Sequence, residues 1–308
     1  MSKPILVGHD PRRVDPAPVA FGADLARRCG ASLLVASVEK GAPVARTDGD
    51  LVDDCSAALE QVEAELHASQ VRADCVRLQS TSAARALQEL AEQEDAGMLV
   101  VGSARTSRVG RVLAGATAMQ LLHGAPCPVA VTPLNWDAER PPATIGAAYV
   151  DSEEGQQALR GAHALAHRLG ARLRVVTVVA HGEKMHLETD PPIAPVVDKR
   201  DLVDIEGEHR LEAESQLRNV VADLDSGVPV EAEALVGDPA EVLRDFSEGL
   251  DLLVVGSRGY GPLRAVLLGS VSRRLMTEAH CPVIVVPRGV EAALEALLAG
   301  AHEESAPA

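Results

Sequence analysis

Residues 252–287 read LLVVGSRGYGPLRAVLLGSVSRRLMTEAHCPVIVVP, and residues 98–133 read MLVVGSARTSRVGRVLAGATAMQLLHGAPCPVAVTP. The two stretches align without a gap. Gly102 falls on Gly256, Gly115 on Gly269 and Cys127 on Cys281, each pair 154 residues apart. Matching of this density marks an internal duplication, and a repeat of this length sets the architecture. Each copy opens on a β-branched apolar run, passes through glycines into a helical pattern, and closes on a second apolar run.

Working outward, PILVGHD ends at Asp10 and TIGAAYVD ends at Asp151, an offset of 141. On that match the second copy gains 13 residues (154 less 141). The expected place is His181 to Ile205, whose Pro191, Pro192, Pro195 and many charges read as a flexible loop. In the second copy, strands are expected at 144–150, 172–179, 228–235, 251–256 and 282–287. Helices are expected around Ala158–Leu169, 206–223, Pro239–Ser247 and Ser270–Glu278, with Asp238 able to cap the third. The first copy repeats the plan, with strands near 4–8, 32–38, 71–76, 98–102 and 128–132. Strand–helix alternation predicts an α/β fold: two tandem doubly wound domains, each with a five-stranded parallel sheet. The expected domains are 1–134 and 143–288, joined by the polar, proline-bearing Asn135–Pro142. A tail follows at 289–308, read as a fraying helix and a disordered end. Both fifth strands are apolar and would be exposed edges, so they are expected to pair and make a pseudo-dimer.

Aromatics are only 2% of the chain, so the cores must be built from Val, Leu, Ile and Ala. The net charge of −16 repels a phosphate backbone and an anionic membrane surface, which argues against nucleic acid and membrane as partners. No run of 18 apolar residues occurs, and MSKPILVGHD has too short an apolar run for a signal peptide. The five cysteines form no C-x-x-C pair and read as reduced thiols in a cytoplasmic protein. His181, His186, Glu183 and Glu188 lie in the long loop with no rigid element to fix them, so they are read as solvated rather than metal-binding.

Ligands of open α/β sheets bind beyond the carboxyl ends of the strands. There the second copy places Gly256-Ser257-Arg258-Gly259-Tyr260-Gly261, then Gly269-Ser270-Val271-Ser272 at a helix start. Glycines let backbone approach a phosphate, and free N–H groups at a helix start favour an anion. No P-loop pattern occurs, and Arg264 stands where a dinucleotide fingerprint needs its last glycine.

The spacing Gly256-x2-Gly259-x9-Gly269-Ser270 resembles the motif of ATP-binding universal stress proteins. The first strand ending in Asp, the GDPAEVL segment (237–243) and the CPVIVVP strand fit the same family, and the resemblance extends over nearly the whole chain. It implies a fold like the adenine nucleotide alpha hydrolases, with strand order 3-2-1-4-5. It also implies ATP as ligand, and roles for residues of the second copy. Asp151 would lie by the ribose or adenine, and Val178 would contact adenine. Gly256, Arg258 and Gly259 would line the phosphate channel, while Gly269, Ser270, Val271 and Ser272 would hold phosphate and ribose oxygens. Any magnesium would come with the nucleotide, since no protein ligand for it is identifiable. Asp151 is the only carboxylate expected at the site, and no lysine falls in the glycine segment. That makes a regulator with little turnover the leading expectation, a slow ATP hydrolase or phosphotransferase the second, and a nucleotide-free adaptor the third. The first copy departs from the motif: Arg105 stands at Gly259, Ala116 at Ser270 and Ala118 at Ser272. It is expected to keep the fold and lose the chemistry. Beyond the nucleotide, a homodimer or a protein partner named by no residue stays open.

Overall fold

The computed structural model describes residues 3–12, 15–40, 50–104, 110–134, 136–137, 140–180, 199–224, 227–257, 269–287, 289 and 294, without the side chains of 40, 50–56 and 199–205. The first half runs β1 (Ile5–His9), α1 (Ala17–Cys29), β2 (Leu33–Lys40), α2 (Asp50–Ala68), β3 (Ala73–Ser80), α3 (Ala83–Gln93), β4 (Met98–Gly102), α4 (Ala116–Leu122) and β5 (Val129–Thr132). The second runs β6 (Thr144–Ala148), α5 (Glu153–Leu169), β7 (Arg172–Val179), α6 (Lys199–Ala222), β8 (Val230–Val236), α7 (Pro239–Phe246), β9 (Leu252–Gly256), α8 (Ser270–Glu278) and β10 (Val283–Val286).

All ten strands form one sheet, in the order β3-β2-β1-β4-β5-β10-β9-β6-β7-β8. Each half thus has order 3-2-1-4-5, with parallel pairing inside it. The halves meet through antiparallel β5 and β10, with Ile284 opposite Ala130. Both fifth strands are buried along their whole length. The expected pseudo-dimer is therefore a continuous sheet whose would-be edges cover each other.

Local chemistry sets the helix ends. Ser152 caps α5 by accepting from the Gly155 N–H at 3.1 Å, and Gly170 ends it in the left-handed region at φ 65°. Asp238 caps α7, accepting from the N–H groups of Ala240 and Glu241, and Pro239 takes the first helical position. Aliphatic residues fill both faces of the sheet, one against α1, α2, α5 and α6, the other against α3, α4, α7 and α8. The joining segment adds Trp136, set edge-to-face on Phe21 with centroids 5.1 Å apart.

Three expectations are corrected. Sheet register pairs Ile5 with Met98 and Ile145 with Leu252, so Ile145 is the counterpart of Ile5 at an offset of 140. Asp10 therefore corresponds to Val150, not Asp151. Matching the two strand-end aspartates by residue type slips the alignment by one, because strand register follows the apolar pattern and the connections and not one shared side chain. By the same reasoning Val230 is the counterpart of Ala73, an offset of 157. The second half gains 17 residues between β7 and β8 and loses three before β9. Second, α6 begins at Lys199, so the end of the expected 181–205 loop is helical; residues 181–198, with His181 and His186, lie outside the described residues. Third, Leu294 of the tail is 3% exposed and packs over Gly161 of α5, where an added Cβ would come within 2.6 Å of it.

Candidate functional site

A cavity of about 350 Å3 opens at the carboxyl ends of β6, β7 and β9. Its polar end is the start of α8. Gly269 precedes that helix with extended backbone (φ −61°, ψ 157°) and contributes no side-chain cap. The amides of Ser270, Val271 and Ser272 therefore begin the helix without an intrahelical acceptor, and the helix dipole adds partial positive charge. Gly269 is held in place by its own N–H, which donates to the Ser257 carbonyl at 3.1 Å. The Ser272 hydroxyl donates to the Gly256 carbonyl at 3.2 Å, tying helix to strand end. A Cβ on Gly256 would lie 3.1 Å from the Glu154 backbone and side chain, so glycine lets α5 close against β9 there. The opposite wall is apolar, from Val176 and Val178 of β7 and Leu243 of α7. Asp151 stands at the exposed rim, with the Tyr149 hydroxyl 3.4 Å from its Oδ1. Burial, then the Asp151 charge, raises the Tyr149 pKa, so the phenol stays a hydrogen-bond donor.

Of the nine expected residues, Asp151, Val178, Gly256, Gly269, Ser270, Val271 and Ser272 line this cavity. Arg258 and Gly259 lie outside the described residues, as does Arg105 of the first half. Sequence reading missed Tyr149 and Glu154. Glu154 is a second carboxylate in the cavity lining, 3% exposed, where only Asp151 was expected. A glutamate in a first helical turn reads as solvated; the only signal was its position three residues after Asp151, on the turn facing Gly256. Exposed Val150, at 56%, occupies the place of Asp10.

The first half repeats the backbone without the two serines, with Thr117 at the position of Val271. Gly115 precedes α4 with the same extended geometry (φ −76°, ψ 179°), but Ala116 and Ala118 follow it. Its α1 starts at Ala17, four residues later than α5 by the 140 offset, after Pro11 and Pro16. A larger cavity, about 870 Å3, lies between α1 and α2 away from the glycine segment. Within its lining Asp24 is already paired with Arg27 and Arg28 at 2.7 and 2.8 Å. Cys29 and Cys127 are buried with thiol pKa pushed up to about 12, and burial drives Cys281 up as well, which fits inert core thiols. Among the described residues no helix is long and apolar enough to cross a membrane.

A family model described as "Universal stress protein family" matches residues 1–133 and 143–287. A universal stress protein of Mycobacterium tuberculosis is 28% identical over 299 residues, which span 92% of this chain and 99% of that protein. One from Thermus aquaticus is 36% identical over 146 residues, 46% of this chain and 97% of that one. The crystal structure of a universal stress protein from Archaeoglobus fulgidus superposes with a TM-score of 0.63 at 18% identity, covering 93% of this chain and 96% of that one, a likeness of fold.

Proposed function

Because the chain belongs to the universal stress protein family, we propose that its second half binds ATP and that the protein is a nucleotide-dependent regulator in stress response, with little or no turnover. The observation that carries this reading is the cavity itself. It joins an apolar wall to an uncapped helix start, with glycine where the strand must come close. In it the phosphates would lie among Gly256, Gly269 and Ser270, with Arg258 and Gly259 proposed as further phosphate contacts. The adenine would lie against Val178, and the ribose between Asp151 and the Val271–Ser272 turn. The size falls in the usual range of ligand pockets, roughly 300–1,000 Å3. Hydroxyl donors and first-turn amides suit an anion at one end and an apolar base at the other.

The test is extraction of nucleotide from freshly purified protein, with identification by mass and calorimetry on the stripped chain. One adenine nucleotide per chain is expected. Protein that carries none and gives no heat with added ATP would leave the adaptor reading in its place. One observation favours a second reading, slow hydrolysis. Glu154 supplies a carboxylate that could orient a water, a part that phosphoryl transfer to water requires. Phosphate release that exceeds the buffer rate and is lost in Glu154→Gln would support turnover; release equal in both supports the regulator.

A further inference from the structure

The last carbonyls of a helix have no acceptor role inside it and need donors from elsewhere. At the end of α8 the Ala279 N–H serves the Leu275 carbonyl, and two further donors come from the other half of the molecule. The Ala114 N–H donates to the Met276 carbonyl at 2.8 Å, and the Val112 N–H donates to the Ala279 carbonyl at 2.7 Å. Between them, Leu113 faces the opposite way. Its N–H donates to Ser103 Oγ at 3.0 Å, and its carbonyl accepts from the Ala104 N–H at 2.6 Å. Ser103 is fully buried, and its hydroxyl donates to the Thr132 carbonyl of β5 at 2.7 Å. Residues 112–114 are thus a strand-like strip bonded on one side to the end of β4 and on the other to the end of α8. Val112, fully buried, shares one apolar cluster with Leu275, Met276 and Ala279.

This strip belongs to the first half's glycine segment, the stretch that lost its hydroxyls at Ala116 and Ala118. We propose that the segment serves as a positioning brace. Val112–Ala114 holds the carboxyl end of α8 and so fixes where its amino-terminal amides point. The helix has nine residues, so a tilt at one end moves the other. The proposal rests on the nucleotide reading for its functional consequence, but not for the brace itself.

The experiment uses the full chain with Ala114→Pro, which deletes one brace N–H, and Val112→Ala, which loosens the same contact without touching the backbone. Hydrogen exchange is followed in peptides from α8 and, as an internal control, from α7. ATP and adenosine affinities are measured by calorimetry. Exchange in α8 is expected to quicken by about tenfold in Ala114→Pro, the scale of one lost hydrogen bond, and by a smaller factor in Val112→Ala. The α7 peptide should be unchanged. ATP should bind about tenfold more weakly, while adenosine, which on that reading meets α8 through its ribose and brings no phosphate, should weaken by a clearly smaller factor. A purely structural weakening would move both ligands and both helices alike, and that result overturns the brace. So does unchanged α8 exchange in both variants. If the wild-type chain binds no ATP, the nucleotide reading falls while the exchange data still decide the brace. If Ala114→Pro does not fold, Val112→Ala carries the decision.

Discussion

The two halves share a sheet, a strand order and even a helix cap, yet only the second has serines in the first turn beyond the cap, where the first has Thr117 between two alanines. Gly115 and Gly269 both enter their helices with extended backbone. After them stand Ala116 and Ala118 in one half, and Ser270 and Ser272 in the other. Ala118 is buried as deeply as a core residue, at 2%, so the fold accepts a methyl where the other half has a hydroxyl. Packing therefore explains the glycines and apolar residues kept in both halves, and the bond to the Gly256 carbonyl gives Ser272 a structural role too, but no described contact explains Ser270. A backbone that approaches closely is a condition of the fold, and the Ser270 hydroxyl is the group that the proposed phosphate contact would use.

The sharpest way to break this comparison is to block each helix start in turn. In Gly269→Leu a side chain would occupy the phosphate end of the cavity, and ATP binding measured by calorimetry should be lost. Gly115→Glu should leave affinity nearly unchanged. Among the described residues a Cβ there would meet Ala104, its Cβ at 3.5 Å and its Cα at 3.7 Å, both ordinary contacts, so the substitution should also fold. Two nucleotides per wild-type chain, or binding that survives Gly269→Leu, would mean that the halves have been assigned the wrong way round.

A gentler change isolates the hydroxyl. Ser270→Ala gives the second half the residue that the first half has at Ala116. It should weaken ATP by about 1–2 kcal/mol, the worth of one hydrogen bond to a charged group, with no comparable loss of stability. Equal affinity in titrations of the two proteins would place the phosphates elsewhere.

Much of this was legible in the residues, because both signals were periodic or positional. Strand order and the β5–β10 seam followed from the duplication and from two apolar edges that had to be covered. The glycine segment announced a close approach between strand and helix. What could not be read was anything set by three-dimensional register. The offset at β1 was misjudged by one because Asp10 and Asp151 are identical in type, while the sheet equates Asp10 with Val150. Glu154 escaped because an acidic residue in a first turn is ordinary on a surface helix, and its burial depends on β9 ending in glycine beside it. The brace on α8 joins residues more than 160 positions apart through backbone N–H groups, which carry no side-chain signature.

The smallest expected difference concerns acid. The third helix of each half is capped by different chemistry: Ser82 accepts from the Arg85 N–H in α3, and Asp238 accepts from Ala240 and Glu241 in α7. The backbone bond from Glu241 lowers the Asp238 pKa below its ordinary 3.8, helped by the Arg274 guanidinium at 2.9 and 3.1 Å and by the Ala240 N–H. A carboxyl depressed on folding stabilises the fold above its unfolded value, and that contribution disappears as pH falls through the lowered value. Below roughly pH 4, the second half should therefore lose both its α7 cap and the ion pair that ties α7 to α8. Among the described residues α3 has no carboxylate cap and no ion pair to its neighbouring helix; its acid-sensitive contact is the exposed Arg85–Glu89 pair within the helix, at 2.8 Å. Its cap is a hydroxyl, and Gln120, the counterpart of Arg274, meets α3 through a neutral contact from Gln88 to its carbonyl at 3.4 Å. Exchange in α7 should accordingly quicken between about pH 5 and about pH 3 by more than exchange in α3, corrected for the intrinsic pH effect, where only the exposed Arg85–Glu89 pair weakens. In Asp238→Ser the two helices should respond alike. Asp238 is exposed and its ion pair is screened by salt, so the effect should be small and should shrink further in high salt. An α7 whose acid response is the same in wild type and Asp238→Ser would show that the carboxylate cap contributes nothing that a hydroxyl does not.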